Sequence, residues 1–135
     1  MYVLPRVMPR MVDELPAFES QWNIEVSPIQ QFDALMEDFC LGVNLTFDRQ
    51  FKPLCHIKDG IWELKTPDLR IFGWFVIKDI FIAGAIDTAF NVKNSPLYVG
   101  YAREVAYFRD NLNLNEPKFV TGTEPQDVIS NYDFA

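Results

Sequence analysis

The sequence predicts an α+β fold, in which a small antiparallel sheet, a meander of three or four strands, packs with two or more helices. Three runs of apolar, β-branched and aromatic residues, Ile61–Lys65, Leu69–Ile77 and Ile80–Phe90, follow one another closely. Only short polar breaks of two or three residues separate them, and such breaks are typical of hairpins. Parallel strands would need crossovers of about a dozen residues or more. Segments with helical periodicity precede and follow the three runs.

The first helix is predicted to begin after Ser27 and to end near Gly42. Ser27 can cap the helix, Pro28 suits its first position, and Gln30 occupies the return position of a capping box. Apolar residues then recur at helical spacing and give the helix one buried face. These residues are Ile29, Phe32, Leu35, Met36, Phe39, Cys40 and Val43.

The second helix is predicted to begin at Ser95-Pro96, because a serine cap is again followed by a proline that suits the first helical position. The residues from Asn111 onward are expected to end it. The third strand of the meander is expected to end before this helix, within residues 91–94. The apolar stripe of the helix consists of Leu97, Tyr101, Ala102, Val105, Phe108 and Leu112.

The middle run, Leu69–Ile77, carries apolar residues on both faces, so we expect a central strand that is covered by helices. Arg70 is the exception in this run. A charged side chain on a covered strand must be paired or must lie at an exposed end of the strand. Glu63, on the preceding run, is a candidate cross-strand partner, which would give both residues a structural role. A structural pair and a catalytic role therefore remain alternatives for Arg70.

The chain is predicted to form a single domain, residues 1–135, with an arm at each end. Residues 1–26 contain repeated prolines, which rule out a long helix or a central strand. This proline-rich segment is predicted to be an extended arm whose apolar residues pack either on the domain or on a partner. Residues 27–112 are predicted to form the core. Residues 113–135 are predicted to form an acidic C-terminal arm.

The net charge of −7 is concentrated in residues 1–55 and 113–135, whereas residues 56–112 contain equal numbers of basic and acidic side chains. An acidic protein lacks the usual footprint of a general nucleic-acid binder, whose affinity comes largely from phosphate neutralisation. No apolar stretch approaches the roughly 20 residues of a membrane helix, and the N-terminus does not have the pattern of a secretory signal. We therefore expect a cytoplasmic protein without membrane contact.

The only cysteines, Cys40 and Cys55, are expected to be free thiols rather than a disulfide. His56 is the only histidine, and histidine is the natural acid–base group near neutral pH. No serine or cysteine nucleophile pattern accompanies it, and a structural zinc site needs about four ligands. We therefore expect a loop histidine, and no metal site or cofactor.

Several short segments of the chain resemble the HigB-like, phage-derived branch of the RelE/ParE toxin superfamily. Members of that branch typically show a Lys-Pro-Leu approach, a Gly-Leu-Trp-Glu-Leu-Arg strand, an Arg-Ile or Arg-Val strand and a helix that begins with proline. The likeness covers roughly residues 29–110. The matching segments are Lys52-Pro53-Leu54, Gly60-Ile61-Trp62-Glu63-Leu64-Lys65, Arg70-Ile71, Ala89-Phe90, Lys93 and Pro96.

This resemblance implies a compact RelE-like module, with helices packed on one face of an antiparallel sheet. It also implies cleavage of messenger RNA, often on the ribosome, without a metal, and neutralisation by a partner antitoxin. A ribose 2′-hydroxyl would attack the neighbouring phosphorus while cations stabilise the phosphoryl oxygens. By position, Arg70 would clamp the phosphate, Lys65 and Lys93 would add positive charge, and Glu63 would be the structural partner of the site.

An alternative is a RelE-fold protein without nuclease activity, which acts as a protein-binding module encoded on a phage or another mobile element. The negative charge, the proline-spaced apolar arm and the turn at Asn91–Ser95, which has one lysine where the family has several, favour this alternative. A homodimer formed through an exposed strand edge also remains open. A small acetyltransferase-like enzyme would need a glycine-rich turn before a helix, and the sequence contains none.

Overall fold

The elements of the fold come from a computed structural model, which describes residues 1–20, 25–54, 60–93 and 97–134. In chain order the described elements are β1 (Tyr2–Val3), three short helical turns (Pro5–Val7, Arg10–Glu14 and Leu15–Ala17), α1 (Pro28–Leu41), β2 (Leu45–Phe47), β3 (Phe51–Pro53), β4 (Trp62–Lys65), β5 (Leu69–Ile77), β6 (Ile80–Thr88), α2 (Ala89–Lys93), α3 (Leu97–Asp110), α4 (Pro125–Val128) and β7 (Tyr132–Phe134). None of the described helices is long and apolar enough to cross a membrane.

The strands form one mixed sheet in the order β1-β6-β5-β4-β3-β2-β7. Strands β3 to β6 pair antiparallel, so the predicted α+β class and its meander are confirmed. The prediction of three or four strands was too low, because the described residues form a sheet of seven strands. The added strands have only two or three residues each, and β1 and β7 run parallel to their neighbours. Strands this short show no alternation that a sequence pattern can detect.

The central hairpin of β5 and β6 agrees closely with the prediction. Strand β5 has the expected bounds and is buried from Leu69 to Phe75, while its turn residue Asp79 adopts a left-handed φ of 68°. Strand β6 ends at Thr88 rather than within residues 91–94. The Thr88 hydroxyl accepts a hydrogen bond from the Asn91 amide at 3.1 Å, so the chain turns directly into α2.

Helix α1 begins and ends as predicted. The Ser27 hydroxyl accepts a hydrogen bond from the Gln30 amide, and the Gln30 side chain accepts one from the Ser27 amide at 3.0 Å. Gly42 ends the helix with a left-handed φ of 73°. The buried face is narrower than expected, because Cys40 and Val43 are exposed.

Helix α3 ends at Asp110, as predicted, while its predicted start at Ser95-Pro96 lies outside the described residues. The helix packs on β5 and β6. The Tyr101 ring stacks on Phe72 with centroids 5.4 Å apart. A Cβ added to Gly84 would lie 2.9 Å from a Val105 methyl, so this glycine lets the helix approach the sheet closely.

The N-terminal segment, residues 1–20, packs on its own domain, which was one of the two alternatives. It is folded into helical turns rather than extended, because each of its prolines tolerates the first turn of a helix. Strand β1 joins the edge of β6, and the Leu4 amide donates to the Ala83 carbonyl at 2.9 Å. Leu4, Val7 and Leu15 are buried in the core.

The end of the chain is also part of the sheet rather than a separate arm. Residues 125–134 form α4 and β7, and β7 pairs with β2. Val128 and Ile129 are buried, and the Ser130 amide donates to the Asp79 carboxylate at 2.7 Å. The acidic composition had suggested an arm, because the contacts that order this segment come from strands far away in the sequence.

Gly73 gives a test of the central hairpin. A Cβ at this position would lie 1.9 Å from the Ile82 carbonyl oxygen, which is backbone and cannot rotate away. Gly73→Ala is expected to lower the free energy of unfolding by about 3 kcal/mol or more. Gly100 in α3 is the matched control, since nothing lies within 4 Å of its added Cβ, and Gly100→Ala should raise that free energy by roughly 0.5–1 kcal/mol. Urea denaturation measures both, and equal losses would contradict the described register.

Candidate functional site

One face of the meander carries five charged side chains, and we call four of them the charged face: Lys52, Glu63, Lys65 and Arg70. Lys52 lies opposite Glu63, and Lys65 lies opposite Arg70. Residues that are opposite each other, or two apart in one strand, point to the same side of a sheet. Helix α3 packs on this side too, because its Tyr101 stacks on the β5 residue two positions after Arg70.

Arg70 is a buried cation, only 6% exposed. Its Nη1 donates to the carbonyl oxygens of Thr66 and Leu69, at 2.6 and 2.8 Å, which fixes the side chain against the β4–β5 turn. Within the described ranges its buried Nε has no hydrogen-bond acceptor, and no carboxylate forms an ion pair with the guanidinium. Burial of an unpaired charge is costly, so this part of the face is electrostatically suited to an anion.

Asp87 borders the charged face and lies directly opposite Arg70 in the sheet. Its carboxylate is 3% exposed and is fully engaged elsewhere. Oδ1 accepts from Arg10 Nη2 at 2.9 Å and from Asn91 Nδ2 at 3.1 Å, while Oδ2 accepts from the Tyr101 hydroxyl at 2.7 Å. The carboxylate next to Arg70 is therefore neutralised by a different arginine.

Glu63 and the two lysines form the other half of the charged face. The carboxylate of Glu63 is fully buried, and Lys52 Nζ lies 3.6 Å from its Oε1. Neither oxygen accepts a hydrogen bond from the described residues. Lys65 Nζ donates to the Asp48 carbonyl at 3.0 Å. Partial burial first, and then the charge of Lys52, lower the pKa of Lys65 below its usual 10.5, with a smaller lowering by Arg70 and opposition from Glu63.

The structure brings together Lys65 and Arg70, but it places the other two predicted site residues differently. Glu63 lies opposite Phe72, and its ion-pair partner is Lys52, so the predicted cross-strand pair with Arg70 is not formed. The two residues share a face, but they are offset by two positions, and a sequence pattern does not fix the register. Lys93 is exposed at the end of α2, at the same end of the meander as Arg70.

Sequence reasoning missed the functional neighbours Asp87, Arg10 and Tyr101. The sequence did contain a signal for Asp87. A carboxylate inside an apolar run, like the charged Arg70, needs a compensating partner. The sequence contained no signal for Arg10, because its partner Asp87 is 77 residues away in the chain. Cys55 and His56 lie outside the described residues, whereas Cys40 is an exposed free thiol. Within residues 1–20, 25–54, 60–93 and 97–134, no group of three His, Cys, Asp or Glu side chains could hold a metal ion.

No family model matches the chain, and no curated protein or solved structure is significantly similar to it. The resemblance to the RelE/ParE superfamily therefore rests on the short segments quoted above, and the activity that it implies is a proposal. The chemistry of the charged face itself is independent of that resemblance. Three cations lie around one buried carboxylate, and the pKa of one of the lysines, Lys65, is lowered.

The pKa of Lys65 tests the geometry of this face. Lys52→Met is expected to raise it toward 10.5, because the main repelling charge is lost, and Glu63→Gln is expected to lower it further. NMR titration of ¹³C-labelled lysine side chains measures both shifts. Lys118→Met is the matched control, since Lys118 instead binds the Asp110 carbonyl. No response to Lys52→Met would contradict the described arrangement.

The same lysine gives a pH dependence of stability. Because its pKa is lower in the folded chain than in the unfolded chain, the unfolded chain binds more protons between the folded value and 10.5. The free energy of unfolding should therefore gain a contribution from Lys65 as pH rises through that window. Lys65→Met should remove this contribution, which urea denaturation at a series of alkaline pH values measures.

The pKa of Tyr101 depends on its contact with Asp87. Burial, followed by the hydrogen bond to Asp87, raises the pKa of Tyr101 to about 12. The neutral phenol therefore stabilises the fold fully below pH 10, and this contribution is lost as pH rises toward 12. Asp87→Asn should lower the pKa of Tyr101, measured by NMR of labelled tyrosine rings. Asp110→Asn on the same helix should leave it unchanged.

Proposed function

We propose that the protein is the toxin of a toxin–antitoxin pair, which acts in the cytoplasm as a metal-independent endoribonuclease on messenger RNA. The observation that carries this proposal is the state of Arg70, a buried cation that forms no ion pair with any described residue, with Lys65 directly opposite it and Lys52 nearby. A phosphodiester supplies the anion that such a group lacks. The resemblance of the surrounding strands to the RelE/ParE superfamily supports the same conclusion.

Each cation has a distinct chemical role in this proposal. The planar guanidinium of Arg70 contacts two phosphoryl oxygens, which a lysine cannot do with the same geometry. Lys65, with its lowered pKa, is closer to the range in which a side chain takes or gives a proton at neutral pH. Lys93, at the same end of the meander, adds positive charge toward the rest of the RNA chain.

The reaction is an attack of a ribose 2′-hydroxyl on the adjacent phosphorus. The new bond from the 2′-oxygen forms as the bond to the 5′-oxygen of the next nucleotide breaks. The hydroxyl proton passes to a base and the leaving oxygen takes a proton, so that a 2′,3′-cyclic phosphate and a 5′-hydroxyl result. Negative charge grows on the phosphoryl oxygens during this step, and preorganised cations stabilise it.

The net charge of −7 limits how RNA can bind. Long-range attraction between the whole protein and RNA is absent, so affinity must come from the few cations of the charged face and from Lys93. Few phosphate contacts give weak binding with a shallow dependence on salt. Neutralisation by an antitoxin would then require only that these cations are covered.

The proposal is tested by producing the wild type, Arg70→Ala and Lys65→Met in bacteria and following growth and protein synthesis. Wild-type protein is expected to arrest both. In purified form, Arg70→Ala should cleave RNA about 10²–10³-fold more slowly, and Lys65→Met about 10²-fold more slowly, in the presence of EDTA. Lys78→Met, in the exposed turn at the opposite end of β5, should act as wild type.

Circular dichroism and thermal melting establish that each variant is folded. The nuclease proposal is wrong if folded wild-type protein neither arrests growth nor cleaves RNA, or if folded Arg70→Ala is as active as the wild type. Inhibition of the wild type by EDTA would contradict the metal-independent mechanism alone.

A protein-binding module without nuclease activity is the second candidate. Tyr2, Met8 and Val12 are large apolar side chains that are 66%, 45% and 62% exposed on the N-terminal segment. Exposed apolar side chains are common in protein interfaces. This candidate predicts no growth arrest, and a protein complex or homodimer that Met8→Ser with Val12→Ser disrupts in size-exclusion chromatography with light scattering.

A further inference from the structure

Arg70 and Asp87 are opposite charges on directly opposite positions of an antiparallel pair, yet they do not form an ion pair. Side chains at such positions have Cβ atoms about 4.5–5.5 Å apart, so an arginine and an aspartate can normally reach each other. Both are more than nine-tenths buried. Arg70 is held by the carbonyl oxygens of Thr66 and Leu69, while Asp87 has a competing partner.

The competing partner is Arg10, on the helical turn Arg10–Glu14. Its Nη2 binds Asp87 at 2.9 Å, and its Nε lies 3.5 Å from the Glu14 carboxylate. The segment that delivers it is held by β1 and by the buried side chains of Leu4 and Leu15. Within the described ranges, Arg10 is the cation that forms an ion pair with Asp87.

We propose that Arg10 is a positioning residue of the charged face. By neutralising Asp87, it keeps that carboxylate from pairing with the guanidinium of Arg70, so the docked N-terminal segment holds the face in its phosphate-binding state. This inference rests on the proposed function in one respect, namely that the ligand is the phosphate backbone of RNA.

Removal of Arg10 leaves a buried carboxylate that keeps its hydrogen bonds from Tyr101 and Asn91 but loses its compensating charge. An uncompensated buried charge is strongly unfavourable, and the cation that faces it across the strands is Arg70. The two side chains then pair, and the positive charge available to a phosphate falls. Any partner that pulls the N-terminal segment away from the sheet produces the same state.

The first test measures binding of a fluorescein-labelled single-stranded RNA dodecamer to the full chain at low salt, by fluorescence anisotropy. Arg10→Gln is expected to weaken binding at least tenfold, and Arg10→Lys to retain most of it. Asp87→Asn in the Arg10→Gln background is expected to restore binding, because no carboxylate is left to neutralise Arg70. Glu14→Gln is the matched control, since it removes the exposed carboxylate beside Arg10 and leaves Asp87 paired.

A purely structural role of the ion pair predicts the opposite pattern. In that case Asp87→Asn removes the same contact as Arg10→Gln and weakens RNA binding by itself. The double variant then binds RNA no better than either single variant. That result, in variants with native circular dichroism, would overturn the proposal.

The second test needs no ligand, so it remains decisive if wild-type protein fails to bind RNA and the proposed function is wrong. Hydrogen exchange of the Arg70 Nε–H, followed by ¹⁵N NMR, should slow at least tenfold in Arg10→Gln, because the group gains a carboxylate. Asp87→Asn in that background should reverse the slowing. Unchanged exchange in Arg10→Gln would overturn the inference, whatever the RNA result.

Discussion

The structure depends on one electrostatic constraint: charged groups on the buried hairpin of β5 and β6 must be compensated inside the protein. Asp87 meets this constraint with donors from three separate elements, Arg10 of the N-terminal segment, Asn91 of α2 and Tyr101 of α3. These contacts fix where each element sits on the sheet. Arg70 meets it only partly, through two carbonyl oxygens of the adjacent turn. The imbalance between the two residues is what gives the charged face its unsatisfied positive charge.

The opposite face of the meander contributes apolar burial, which offsets the unfavourable free energy of burying the incompletely paired Arg70. Phe51, Trp62, Phe75 and Phe81 form a continuous series of ring contacts, with centroids 6.0, 5.7 and 5.0 Å apart. All four rings are fully buried, and aromatic side chains of this size contribute large apolar areas as well as edge-to-face attraction. A rigid apolar face lets the other face hold buried polar groups that lack hydrogen-bond partners among the described residues. Perturbed and unsatisfied groups are concentrated at functional sites for this reason.

The acidic composition and the cationic face are compatible, because they act over different distances. The net charge of −7 governs the field far from the surface, where salt screens it within about 10 Å. Contacts with a phosphate depend on the cations within a few ångströms, where partial burial weakens the screening. Burial has a second effect, because it lowers the pKa of Lys65. The protein would thus select its anion by close contact rather than by long-range attraction.

The sequence by itself determined the elements with strong local signals. The capping box at Ser27, the glycine end at Gly42 and the two-sided apolar run of β5 each involve residues close together in the chain, so pattern alone located them. Tertiary structure decided the rest. The edge strands are too short to show a periodic pattern in the sequence. The register that places Glu63 opposite Lys52 cannot be deduced from the sequence of either strand. Arg10 contacts Asp87, which is 77 residues away in the chain. Only the folded chain, in which long-range burial selects partners for each charge, defines the candidate site.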